Sequence, residues 1–143
     1  MKLKTSAKVV LGLIVVAVIV GLVLIFTKKK DPQLALNERL ITVGSDFYEN
    51  FYFEHISTNK TEEEVVAFLE RYEEVGIKVD IDNLSRYDEE KYPSLLDEFV
   101  NEKDNIACDI RNTRAVIYPV APYGNTDYSI EAELDCGFAD SLE

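Results

Sequence analysis

One histidine, two cysteines, one methionine and no tryptophan are found among the 143 residues. A zinc site needs three or four Cys, His or carboxylate ligands at short spacing. Cys108 and Cys136 are far apart in sequence, and His55 is the lone imidazole. Neither a metal nor a cofactor is therefore expected. The G-x-S-x-G elbow, the P-loop and the G-x-G-x-x-G turn are all missing, which removes the common signatures of serine hydrolysis and nucleotide binding. A catalytic Cys–His pair would need a free thiol and a third, orienting group, so His55 reads as a surface or helix-end residue. Paired carboxylates could serve hydrolysis, but among 27 acidic residues spacing selects none. No catalytic residue is expected, and the chain reads as a non-enzyme.

Basic charge is scarce where a polyanion would need it. All six charged residues before Asp31 are lysines; removing them from the 15 basic residues leaves nine against 27 acidic ones, a net charge of −18 from Asp31 onward. A nucleic-acid partner is excluded, because the phosphate backbone is bound through a basic surface.

Apolar residues, in contrast, form one unbroken run of 18, VVLGLIVVAVIVGLVLIF, over residues 9–26. As a helix it rises about 27 Å, close to the hydrocarbon thickness of a bilayer. Lys2, Lys4 and Lys8 precede it, as they would a cleaved signal. The run is longer than a usual signal core, Leu24 to Thr27 lacks the small residues of a cleavage site, and Lys28, Lys29 and Lys30 form a stop-transfer flank. The reading is a single-pass anchor held in the lipid bilayer through residues 9–27, with 1–8 a basic cytoplasmic tail. Lysine and arginine counts tie across the span; the short tail and the two cysteines place the acidic part outside the cytoplasm. Ala17 and Gly21, four apart, are a weak small-residue pairing motif.

Beyond the anchor, Asp31-Pro32 is a helix-start signal. Leu36, Leu40, Val43, Phe47 and Phe51 then recur at helical spacing, predicting a membrane-proximal helix within 28–56. Gly44, Ser45 and Asp46 are expected to bend or restart it. An acidic α+β domain follows over 57–143. Thr61 and Glu64 make a capping box before a second helix that Gly76 ends. Ile77, Val79 and Ile81 alternate as a strand, 84–91 reads as loop, and Leu95, Leu96, Phe99 and Val100 as a short amphipathic turn or helix. A strand over 106–110, a turn at Asn112 and Thr113, and a strand over 115–118 ended by Pro119 come next. After a turn at 122–125, Tyr128, Ile130, Ala132, Leu134 and Cys136 share one face of the last strand. The fold class is α+β: a transmembrane helix, two helices and a three- to four-stranded antiparallel sheet. No internal repeat or low-complexity linker interrupts it.

Cys108 and Cys136 fall in the predicted sheet, and the pair is expected to form a disulfide; the competing reading is two reduced core thiols. Asp80 and Asp82 resemble the start of a calcium loop, but Leu84 and Ser85 stand where its ligand and glycine belong, so they read as a solvated face. Asn59 and Asn83 match the glycosylation pattern, at about the frequency chance supplies. The aromatic stretch 46–53 is expected to pack in the core; a partner or glycan platform is the alternative.

The order of elements from Val9 onward, with a late Cys108 and Cys136 pair, resembles type IV pilins and pseudopilins, and also small bacterial single-pass membrane proteins. That resemblance implies a subunit of an envelope filament or secretion assembly. No acidic residue falls within 7–13, where the family carries a glutamate, so the resemblance is to shape and not to processing. The leading expectation is a membrane-anchored extracytoplasmic interaction or accessory protein with an envelope protein as partner.

Overall fold

The computed structural model describes residues 31–138. The expected tail and membrane span at 1–27 lie outside the described residues, within which no helix is long and apolar enough to cross a membrane.

Helix α1 (Pro32–Phe47) begins where its cap dictates: the Asp31 carboxylate accepts the Gln33 N–H at 2.9 Å, and Pro32 needs no partner in the first turn. Its buried stripe is Leu36, Leu40, Val43 and Phe47. The expected break at Gly44 does not occur. The helix runs straight through, and Gly44 faces the sheet so closely that a Cβ there would lie 2.7 Å from the Ala115 Cβ. Glycine here sets the distance between helix and sheet.

A π-turn, Tyr48–Tyr52, follows, in which the Phe53 N–H reaches back five residues to the Tyr48 carbonyl. Helix α2 (Phe53–Ser57) completes the rod. One extra residue in a turn rotates everything after it by about 100°. The core face therefore passes from Phe47 to fully buried Tyr48 and on to Ile56, while Phe51, expected in the core stripe, is 46% exposed.

Helix α3 (Glu62–Leu69) carries both bonds of its capping box, Thr61 Oγ1 accepting from the Glu64 N–H and Glu64 Oε2 from the Thr61 N–H. A 3₁₀ turn, Glu70–Tyr72, extends it. Gly76, at φ +69°, then takes the left-handed position that only glycine occupies freely. Strand β1 (Ile77–Asp80) stops one residue short of the expected alternation, because the Asp80 carboxylate accepts the Asn83 N–H and caps helix α4 (Ile81–Tyr87). The loop expected over 84–91 is thus helical in its first half: a local cap outcompetes the strand once Asp80 turns the chain.

Helix α5 (Leu95–Glu98) precedes a two-stranded ribbon of β2 (Val100–Asn101) and β3 (Ile106–Ala107). The strand expected over 106–110 ends early, since Asp109 accepts the Arg111 and Asn112 N–H groups and bends the chain into a turn. It also pairs with Val100 and Asn101 and not with the next strand. Asn101, fully buried, ties this ribbon to the C-terminal segment by donating to the Cys136 carbonyl.

Strands β4 (Arg114–Pro119) and β5 (Tyr128–Glu133) form an antiparallel pair around the turn at 120–127, and β1 joins the other side of β4, giving the order β1-β4-β5. The β5 alternation holds: Ser129, Glu131 and Glu133 are exposed, while Tyr128, Ile130 and Ala132 are half-buried against the core. Helix α1 lies on the inner face, over β4 and β5, with Gly44 against Ala115 and Ile130, and its buried stripe shares one core with Ile77, Val79 and Ile117. The described part is α+β with a three-stranded antiparallel sheet, and residues 31–56 share one core with the rest.

Candidate functional site

Cys108 and Cys136 are bonded to each other and buried. The bridge joins the segment after β3 to the segment after β5, where the Cys108 N–H also bonds the Phe99 carbonyl. Its role is to hold the domain together.

An open groove of about 550 Å³ lies on the opposite flank of the sheet, at the β1 edge. Three separate segments build it. The π-turn region supplies Phe47, Phe51 and Tyr52; Tyr72 with Ile77, Lys78 and Val79 supply a floor; Asn83, Arg86 and Tyr87 of α4 supply the other bank. The rings support one another: Phe47 meets Tyr87 edge-on with centroids 5.3 Å apart, and Phe51 contacts both. His55 stacks on Phe51 at 7° between planes. Among the described residues the charged ones that line it are cations, Lys78 and Arg86, although the chain from Asp31 carries three acidic residues for every basic one. Arg86 pairs with Asp82 at 2.9 Å, yet its side chain is 68% exposed.

Beside the groove, Asp46 forms a hub. Its carboxylate accepts from the Tyr87 hydroxyl, the Tyr92 hydroxyl at 2.6 Å, Lys91 Nζ at 2.7 Å and Asn50 Nδ2 at 3.0 Å. These bonds pin α1 to α4 and to the segment after it, and the Arg39–Glu98 pair does the same for α5. Burial alone would raise the Asp46 pKa; the donors Lys91, Tyr87 and Tyr92 outweigh it and bring it from 3.8 to about 2. Burial and the same bond push the Tyr87 hydroxyl up. Because the folded pKa is depressed, the contribution is present in full above the unfolded value and is lost as pH falls from about 4 through about 2. It amounts to about 2 kcal/mol. In urea unfolding at pH 5 and pH 2, Asp46→Asn is expected to show a pH-dependent loss smaller than wild type by that amount; identical losses would remove Asp46 from this role.

Asp80 is a helix cap and Asp82 a partner of Arg86, so the resemblance to a calcium loop dissolves into local structure. Among the described residues no group of three His, Cys, Asp or Glu is arranged to hold a metal. Tyr48 stacks on Tyr52 and meets Tyr128 at a tilt of 57°, and its buried hydroxyl has no partner among the described residues; burial, with smaller effects from Tyr52, Tyr128 and Asp127, pushes it up to about 12.

The sequence points to the aromatic stretch and to Asn83 only as a glycosylation match, and not to Lys78, Arg86 or Tyr87. For Lys78 and Arg86 the one sequence signal is a change of charge sign within an acidic chain. Fold and site together define a small disulfide-bonded α+β domain with an aromatic, cation-rimmed groove at a sheet edge. No protein-family model, curated protein or solved structure matches the chain.

Proposed function

We propose that this protein is a membrane-anchored, extracytoplasmic interaction module that engages an envelope partner through the β1-edge groove. The observation that carries the reading is the exposed aromatic wall around Phe51. Phe51 is half exposed and continues into partly exposed Tyr52 and Tyr87, and contiguous apolar surface in a groove is what an interaction site presents. The apolar run at 9–26 supports the anchor, and the disulfide supports an oxidising compartment. The role is binding, not catalysis.

The filament-subunit reading has support in α1 lying along the sheet and in the late disulfide. Against it, Asp31 caps α1 with a non-helical backbone, ψ 124°, so α1 has its own start there. In cells making the full chain, the protein is expected to stay with membranes through a carbonate wash. Cys108 and Cys136 are expected to resist thiol reagents until a reductant is added. Release into the supernatant sinks the anchor, and reduced cysteines in freshly trapped cells sink the extracytoplasmic placement. A mature N-terminus shortened to about Val9 favours the filament subunit.

A further inference from the structure

Strand β1 is an edge strand whose hydrogen-bonding phase can be read from one bond. Ile81 donates to the Thr113 carbonyl, and residues directly opposite in an antiparallel pair alternate between bonded and non-bonded positions. Ile77 and Val79 therefore bond to β4, while the Lys78 N–H and C=O are directed away from the sheet, on the side where Lys78 lines the groove. An edge of this kind is a template for another strand. We propose that the groove takes an extended peptide segment of a partner protein, with apolar side chains alternating with carboxylates, as a fourth strand beside β1. The proposal rests on the binding reading above and names its partner's chemistry.

Alternation follows from the geometry of the banks. Side chains of an added strand point alternately to the two faces of the sheet. Those on the α1 side meet Phe51, Tyr52 and Tyr87; those on the other side lie level with the Lys78 side chain, and Arg86 stands on the far bank. A lysine on an edge ordinarily deters pairing. A carboxylate opposite turns the same residue into a contact, so the edge accepts acidic strands selectively. The other edge of the sheet, β5, exposes Ser129, Glu131 and Glu133, and repels such a strand. Backbone bonds would supply affinity and the aromatic wall the side-chain preference.

The test is selection of phage-displayed random dodecapeptides on the full chain in detergent micelles, followed by synthesis of enriched sequences and anisotropy titrations. Enriched peptides are expected to alternate apolar and acidic residues. N-methylating amides in one alternating register is expected to weaken binding roughly tenfold or more, with the other register tolerated, since only one set of N–H groups faces β1. Lys78→Glu, Arg86→Glu and Phe51→Ala change exposed side chains, with folding checked by thermal melts, and each is expected to cost roughly tenfold. Absence of enrichment over an unrelated acidic protein, or equal tolerance of both N-methylated registers, overturns strand addition. Binding of purified peptidoglycan fragments that Phe51→Ala abolishes, with no peptide enriched, also overturns it while leaving the groove a binding site. Loss of neither ligand class on Phe51→Ala overturns the groove reading itself.

Discussion

Replacing Cys108 and Cys136 together by alanine is expected to lower the unfolding free energy by roughly 3.5 kcal/mol. The bridged cysteines stand 28 apart in sequence, and the loop they close contains all of β4 and β5 with the turns before and between them. Cross-linking so long a loop removes many conformations from the unfolded chain, and that restriction is lost in the variant. A domain of this size has about 5–15 kcal/mol in total, so the urea midpoint should fall steeply. Wild type in dithiothreitol should unfold with the double variant. Coincident curves for variant and oxidised wild type would show that the bridge contributes nothing. The two alanines leave the Asn101 bond to the Cys136 carbonyl in place, so the difference isolates the covalent link and its two sulfur atoms.

Gly44→Val is expected to destabilise by about 3 kcal/mol, in the range of overpacked cores. A Cβ at Gly44 would lie 2.7 Å from the Ala115 Cβ and 2.9 Å from the Ile130 Cδ1. The first neighbour has no rotamer to change, so α1 must lift from β4. Gly44→Ala should also destabilise, although in an exposed helix the same change gains up to about 1 kcal/mol of propensity. The sign therefore separates a packing glycine from a merely tolerated one. Adding Ala115→Gly to Gly44→Ala should recover part of the loss, and a double-mutant cycle reads the coupling between the two positions. A rise in stability for Gly44→Ala alone would refute the close approach.

The same glycine marks where sequence reasoning reached its limit. As a residue in a helical pattern, Gly44 beside Ser45 and Asp46 looks like a break, because both neighbours are good caps. Here Asp46 is engaged by Tyr87, Tyr92 and Lys91 from a segment some forty residues away, and no cap forms. At Asp31, Thr61 and Asp80 the caps do form, each with a partner two or three residues along. Asp80 ends the expected strand and also caps a helix that the sequence hides, because Ile77, Val79 and Ile81 keep a period of two across a strand end and a helix start.

What the sequence determined by itself is whatever local bonds and short periods carry: the helix starts at Asp31 and Thr61, the left-handed Gly76, the half-buried alternation of β5 and the cysteines available for a bridge. The tertiary structure alone decided the rest. A π-turn left Phe51 half exposed while Tyr48 stayed in the core, since one extra residue rotates the helix out of the phase its hydrophobic stripe implies. Packing α1 across β4 and β5 and against α4 then brought Phe47, Phe51 and Tyr52, Tyr72 and Ile77 to Val79, and Asn83, Arg86 and Tyr87 to a single groove. No spacing along the chain encodes that meeting, because it depends on which strand ends up at the edge of the sheet.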